Sequence, residues 1–418
     1  MPPAPTSRGY MRPVHWASFL TPHPRPAMTH RSERDSATAP HLTAAPDAVA
    51  GDTPTARPAK AAWPRRGFLG LGAGALAGAA LSLGGLTPSL VRAATSSPSA
   101  TGGLAAAAGG SSGTPIEIAP AFGVLKHIDA GDLRIGYVET GPADGPPVLL
   151  LHGWPYDVHT YEEVAPLLAA AGYRVIVPYA RGYGTTRFLS ADTVRNGQQG
   201  ALAQDTIALM DALRMPKAVV AGCDWGARTA GILAALWPER CQALVAVSGY
   251  LLANRKVNEQ PLPPAAELQW WYQYYFATER GRLGYEKYRA EFSRLIWQIA
   301  SPQWRFDDAT FRRSAAAFDN PDHVAIVVHN YRWRLGLADG ESRYDAIEAR
   351  IAAGPAISLQ TITLEGDANG APHVDPSVYR RKFSGRYAHR DLSGGIGHNL
   401  PQESPKAFAQ AVIDVTRL

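Results

Sequence analysis

The sequence predicts an α/β protein: a mostly parallel sheet with helices on both faces and a helical lid inserted between two strands. Three observations lead there. From residue 124 onward, short apolar runs alternate with longer amphipathic ones. Several of the short runs, such as "PPVLLLHG" and "KAVVAGC", are apolar throughout, as strands buried on both faces must be. Between about residues 251 and 353 the alternation gives way to a helical, aromatic-rich stretch.

The elements follow in order. "VLKHIDA" and "LRIGYVET" read as a strand hairpin, and "PPVLLLHG" as a buried strand ending at His152-Gly153. "VHTYEEVAPLLAAAG" is helical in period, "YRVIVP" is a strand, and "GALAQDTIALMDALRM" is a helix. "KAVVAGC" is a strand feeding "GCDWGA", and "GARTAGILAALWP" is the helix that leaves it. "CQALVAVSGY" is the next strand. After the lid, "ISLQTITLEG", "SVYRRKF", "YAHRDLSG" and "SPKAFAQAVIDVT" resume as strand, helix, strand, helix. The core thus covers 115–250 and 354–418, with the lid at 251–353.

The chain of 418 residues carries a net charge of +5, which invites a nucleic-acid reading. Residues 1–94 hold ten of the 41 basic and four of the 36 acidic residues, so the remainder is balanced at 31 and 32. No basic stripe suited to phosphate survives in that remainder. The excess sits in a leader instead. "WPRRGFLGLGAGALAGAALSLGGL" pairs Arg65 and Arg66 with a mildly apolar, Gly-rich run, and "LVRAAT" places small residues near Ala93 and Ala94. This is the pattern of a twin-arginine export signal, removed after translocation, and too weakly apolar for a stable membrane span. Residues 1–94 are therefore expected to be a leader handled by the twin-arginine machinery, with Met28 a possible true start. Residues 95–114 are expected to be a flexible linker and the mature protein periplasmic or secreted. Two cysteines, Cys223 and Cys241, do not make a disulfide framework and are expected as buried thiols.

In an open parallel sheet, ligands bind beyond the carboxyl ends of the strands. Three loops there carry chemistry. In "AGCDWGA", Gly222, Gly226 and Ala227 leave room for a tight strand-to-helix turn with Asp224 at its apex. A plain helix cap would not need those small neighbours. In "GGIGHNLPQESP", His398 falls between the last strand and the last helix, where a general base is expected. In "ITLEGDANG", Asp367 precedes His398 by 31 residues and could accept the second imidazole N–H, with Asp375 a rival in the same loop. The order nucleophile, orienting acid, histidine is that of the α/β-hydrolase triad. "LLLHGWP" ends a strand at His152-Gly153-Trp154-Pro155, and the backbone N–H groups of Trp154 and Trp225 would form an oxyanion hole.

An aspartate nucleophile changes the chemistry. Attack on an ester carbonyl would give an anhydride. Displacement at a saturated carbon gives an ordinary ester on Asp224, which a water activated by His398 can then hydrolyse. Suitable leaving groups are an epoxide oxygen, which needs an acid such as a lid tyrosine, or a halide, which needs only weak donors.

Several motifs now resemble those of the epoxide hydrolases of the α/β-hydrolase superfamily, over roughly residues 115–418. "HGWP" is similar to the family's His-Gly-X-Pro motif, in which the proline follows a cis bond. "GCDWGA" is similar to its nucleophile motif, and "RGYGTT", Arg181 to Thr186, to its Gly-X-small-X-Ser/Thr motif. "WYQYYF" resembles the stretch with a ring-opening tyrosine before a glutamine, which points to Tyr272 and Gln273, although Tyr274 and Tyr275 are neighbours of the same type. "HNYRWR" points in the same way to Tyr331. The resemblance implies hydrolysis of an epoxide to a vicinal diol with water, without cofactor or metal. Asp224, His398, Asp367, Tyr272 and Tyr331 would be catalytic, and His152, Pro155 and Gln273 would line the substrate. The aromatic lid suggests an apolar substrate. A haloalkane or haloacid dehalogenase with the same machinery, aided by Trp225, is the alternative. A non-catalytic binding protein of the same fold is a third reading. Cys223, where relatives often carry His, and the lid histidines His323 and His329 are left without a role.

Overall fold

The computed structural model describes residue 116 and residues 118–418, Pro372 excepted. The export-signal and linker expectations fall on residues 1–94 and 95–114, outside the described residues.

Nine strands form one sheet: β1 Val124–Ala130, β2 Leu133–Thr140, β3 Pro147–Leu151, β4 Arg174–Pro178, β5 Arg187–Phe188, β6 Ala218–Gly222, β7 Cys241–Val247, β8 Thr361–Gly366 and β9 Tyr387–Leu392. The spatial order is β1-β2-β4-β3-β6-β7-β8-β9, with β5 pairing β2. The β1/β2 hairpin and the β2/β4 pair are antiparallel, and every pair from β4 to β9 is parallel. Burial follows the pattern read from the chain. Every residue of β6 and β8 is buried, whereas β1 alternates towards solvent as an edge strand does. Helices α1 Val164–Ala170, α2 Gln199–Ala212 and α3 Trp225–Leu236 follow β3, β4 and β6 in sequence, and the helix Pro405–Val415 closes the chain. Two apolar clusters lie on opposite faces of the sheet: Val148 and Leu150 contribute to one, Leu149 and Leu151 to the other. That alternation within β3 is the period-2 geometry of a strand covered on both sides.

Between β7 and β8 the chain forms short helices, among them Trp271–Ala277, Glu279–Lys287, Arg289–Ala300 and His323–Arg334. Their aromatic residues pack onto Trp154 at the end of β3, with Tyr272, Phe276, Tyr285, Phe292 and Tyr331 all within 6.4 Å ring to ring. The lid histidines now have a role. The Trp154 indole N–H donates to Tyr285 Oη at 2.9 Å, and His323 Nε2 lies 2.9 Å from the same oxygen. His323 Nδ1 is 2.9 Å from the Gly182 carbonyl. That carbonyl can only accept, so Nδ1 carries the proton and Nε2 accepts from the tyrosine. Burial depresses His323 to about 3, so this relay stays neutral while it ties the lid to Trp154 and the "RGYGTT" loop. His329 does similar work at the surface, accepting from Gly197 N–H at 3.0 Å and donating to the Asp339 carbonyl at 2.9 Å. In the same loop Thr186 donates to the Tyr179 carbonyl and accepts from Gly136 N–H, so that motif is a brace for β2 and β4. Among the described residues no helix is long and apolar enough to cross a membrane.

Candidate active site

Asp224 stands at the junction of β6 and α3 with φ 55° and ψ −120°, a left-handed conformation that costs an ordinary residue roughly 1–2 kcal/mol. The strain is held by close packing. A Cβ on Gly226 would sit 1.8 Å from the Leu151 carbonyl oxygen, and one on Gly153 would sit 2.4 Å from Asp224 Oδ1. These two glycines let β3 and the turn approach until Trp154 N–H donates to Asp224 Oδ1 at 2.8 Å. Oδ2 is left facing His398, whose Nε2 is 3.6 Å away. Burial alone would raise the carboxyl. The His398 ring, the Arg228 charge and the Trp225 amide outweigh it and hold Asp224 ionised below its ordinary range.

His398 departs from expectation in its partner. Asp367 does not reach it: the carboxylate is exposed and accepts from the amides of Gly394 (3.0 Å), Gly395 (2.9 Å) and Ile396 (2.9 Å). Asp375 is also elsewhere, capping Ser377 at 2.8 Å. The residue beside the imidazole is Asn369, with Oδ1 3.2 Å from His398 Nδ1. Its amide orientation is fixed on both sides, because Nδ2 donates to Glu365 Oε1 at 2.7 Å and Oδ1 accepts from Ala371 N–H at 2.9 Å. His398 Nδ1 therefore carries the proton, and Nε2 presents its lone pair towards Asp224. A buried carboxylate does support the histidine, but one residue removed: Glu365, in β8, acts through a neutral amide. Asp367 was the wrong acid because a glycine-rich turn with three free N–H groups offers a carboxylate more than a single imidazole does.

The loop carrying His398 is clamped through its backbone. His398 N–H donates to Ser301 Oγ at 2.9 Å, and Ser301 in turn donates to Glu403 at 2.7 Å. Glu403 also accepts from Gly397 N–H at 2.7 Å. Cys223 has its place here: its thiol donates to the His398 carbonyl at 3.2 Å. Burial keeps that thiol far above its ordinary pKa, so it is a neutral strut beside Asp224. Cys241 is likewise buried and free.

The site opens into a cavity of about 1460 Å³, counted with its mouth, between the strand ends and the lid. Asp224, His398, Tyr272, Tyr331 and Gln273 all line it. The two tyrosine rings lie 5.3 Å apart, edge to face. Burial and the nearby Asp224 charge push Tyr272 up to about 12, and burial, the Tyr272 hydroxyl and Asp224 hold Tyr331 well above its ordinary value, so both phenols keep their protons. Tyr274 is exposed at the surface, and Tyr275 stacks on Phe292 at 5.8 Å, within the lid. Two expected lining residues are not there. His152 is buried outside the cavity, bonded to Gly153 O and Ala180 N and packed on Tyr183. Pro155, which follows a cis bond, turns its carbonyl to the Trp297 indole at 2.7 Å. Both brace the turn that carries Trp154 from behind. Trp225 supplies its backbone to the site, while its indole packs against Tyr331 and does not line the cavity. Sequence reasoning missed Arg228 and Arg334, which do line it.

The α/β-hydrolase fold model matches residues 146–285. A Klebsiella pneumoniae protein of solved structure, provisionally named an epoxide hydrolase, is 62% identical, with a TM-score of 0.71 over 72% of this chain and 100% of that one. The chain belongs to the epoxide hydrolase family of α/β-hydrolases. Its curated relatives include epoxide hydrolase B of Mycobacterium tuberculosis, 33% identical over 38% of this chain and 48% of that protein. A haloalkane dehalogenase of Mycobacterium marinum is 34% identical over 30% of this chain and 42% of that protein. The chain thus matches about half the length, or less, of these curated relatives.

One expectation concerns pH. Burial disfavours the His398 imidazolium, but Asp224, Glu365 and Glu403 outweigh it, and the resting imidazole titrates above its ordinary value. If Asp224 becomes an ester, the largest of those charges disappears and the imidazole pKa falls. A base must be neutral to act, so activity rises as pH climbs through that pKa. Single-turnover ester hydrolysis should therefore lose its rate at a lower pH than the one at which His398 titrates in the resting protein, read by imidazole NMR. Coincident midpoints would contradict the coupling.

Proposed function

We propose that the protein hydrolyses an epoxide to a vicinal diol through an alkyl ester on Asp224. The observation that carries this reading is an ionised carboxylate at the nucleophile turn facing two protonated lid tyrosines across one cavity. Asp224 Oδ2 attacks an epoxide carbon, and the carbon–oxygen bond opens. The departing oxygen takes a proton from Tyr272 or Tyr331, since an alkoxide is the stronger base. Asp224 Oδ1, held by Trp154 N–H, becomes the ester carbonyl oxygen. His398 Nε2 then takes a proton from water, which attacks Asp224 Cγ. The oxyanion on Oδ1 is met by the amides of Trp154 and Trp225. Collapse expels the product oxygen, which takes the proton from His398, and the carboxyl proton returns to the tyrosinate. Asn369, backed by Glu365, keeps the imidazole in the required tautomer.

The dehalogenase alternative would use the same carboxylate. It is less favoured because the Trp225 indole does not line the cavity, while two phenols do. The test is a panel of epoxides and halocarbons, with diol and free halide measured. Halide without diol would overturn the reading. In oxygen-18 water a single turnover should label Asp224 before product.

The tyrosines give a further expectation. Tyr331→Phe should slow alkylation by about 10²-fold, within the range of general-acid effects, and Tyr272→Phe/Tyr331→Phe should reduce it further, in stopped-flow measurements. Ester hydrolysis, which needs no acid at the epoxide oxygen, should change far less.

A further inference from the structure

The cavity wall carries more positive charge than the reaction above uses. Arg228 lies one helical turn beyond Asp224, so its side chain emerges on the nucleophile's side of α3. It is 8% exposed, and its Nε donates to the Leu251 carbonyl at 3.2 Å. Among the described residues its terminal N–H groups have no hydrogen-bond partner, and although it feels the Asp224 charge it forms no close ion pair with any carboxylate. Arg334 lies three residues beyond Tyr331 on the lid helix, on the same face, with its guanidinium carbon 5.7 Å from that ring. Its Nε is buried without a hydrogen-bond partner, and it too forms no ion pair among the described residues. Buried cations are normally paired, because leaving a charge unmatched in a desolvated site is costly.

The cavity lining holds a single carboxylate, Asp224, against these two guanidinium groups. The imbalance persists through the proposed reaction. Alkylation neutralises Asp224 but leaves its negative charge on one tyrosinate, so two cations still face a single anion while the ester persists. Burial, with the Arg334 charge nearby, lowers Arg228 to about 10, still charged near neutrality. Phenol and amide groups such as Tyr272 and Gln273 cannot balance that charge. An anionic group on the bound molecule can, and a planar fork of N–H donors suits a carboxylate.

We infer that the substrate is an epoxide bearing a carboxylate, held by Arg228 and Arg334 beside Asp224. This rests on the epoxide reading and replaces the purely apolar substrate suggested by the aromatic lid. The aromatic wall takes the hydrocarbon part, the arginines take the carboxylate, and the epoxide is presented to Asp224 Oδ2 between them.

Two measurements separate this inference from the reaction it rests on. The first is binding of unreactive phenylacetate against its neutral amide by calorimetry. The acid should bind at least tenfold more tightly, the preference should weaken with salt, and in Arg334→Met the ratio should fall towards one. Equal affinity of acid and amide, or a ratio unchanged in Arg334→Met, would overturn the inference. The second is diol formation from 3-phenylglycidate against its amide. A higher kcat/KM for the acid, reduced towards that of the amide in Arg334→Met, supports the inference. Turnover of neutral epoxides with no preference for the acid overturns it while leaving the hydrolase reading intact. Carboxylate binding with no diol from any epoxide overturns both the epoxide reading and the substrate inferred from it. Arg334 is chosen over Arg228 because it is less deeply packed, so loss of folding is a smaller risk.

Discussion

Asp224→Ala should abolish diol formation, by about 10⁶-fold in kcat if the carboxylate is the nucleophile, as for removal of a catalytic nucleophile elsewhere. Such a loss means little if the variant unfolds, and the geometry argues that it will not. Asp224 holds φ 55° in the wild type, so the strain is already present, and alanine meets a similar penalty. The substitution also removes a buried charge whose desolvation was offset only by His398, Arg228 and two backbone amides. The melting temperature should therefore stay within a few degrees of wild type. Asp224→Gly, which relieves the left-handed strain, should melt at or above the Asp224→Ala value. Substantial residual turnover in either folded variant would remove Asp224 from the reaction.

The parallel sheet was legible because its strands are short, apolar and separated by helical periods: "YRVIVP" contains β4 and "KAVVAGC" contains β6. The hairpin was legible too, and "VLKHIDA" and "LRIGYVET" coincide with the antiparallel β1 and β2 residue for residue. Asp224 was legible because an acute turn needs small residues in fixed places, and Gly226 leaves its mark in the chain. The supporting acid was not. Glu365 lies inside a strand whose neighbours are apolar, and its link to His398 runs through Asn369, four residues on, in a loop that contains a more conspicuous aspartate. Only the three-dimensional turn reveals that Asp367 spends its oxygens on the amides of residues 394–396. A lone glutamate within "ITLEG" was the available signal, since a charge in a central strand is retained only with a partner. The arginines were invisible for a different reason. A basic residue in an amphipathic helix ordinarily faces water, and nothing in the sequence distinguishes Arg228 or Arg334 from Arg332, which reaches the Phe276 carbonyl instead.

His398→Gln should stop turnover while leaving one alkylation per active site. His398 holds its loop through its backbone and serves the reaction through its ring. The loop is held by His398 N–H on Ser301, by the Cys223 thiol on the His398 carbonyl, and by Glu403 on Gly397. None of these contacts uses the imidazole, so glutamine preserves them, and its amide N–H can still reach Asn369 Oδ1. The first step needs only the Asp224 carboxylate and the tyrosines. The second needs a base for water, and glutamine is none. Mixing this variant with an epoxide should give a stoichiometric burst, no steady state above about 10⁻⁴ of wild type, and an intact-protein mass raised by that of the whole substrate. Peptide mapping should place the added mass on Asp224. Loss of the Asp224–His398 attraction works the other way on the first step: the carboxyl titrates nearer its ordinary value, so alkylation should fail at a slightly higher pH than in wild type as acid is added. A folded variant that turns over without accumulating the adduct would show that water is activated by some other group, and Glu365 and Glu403, the carboxylates nearest the imidazole in electrostatic effect, would be the residues to substitute next.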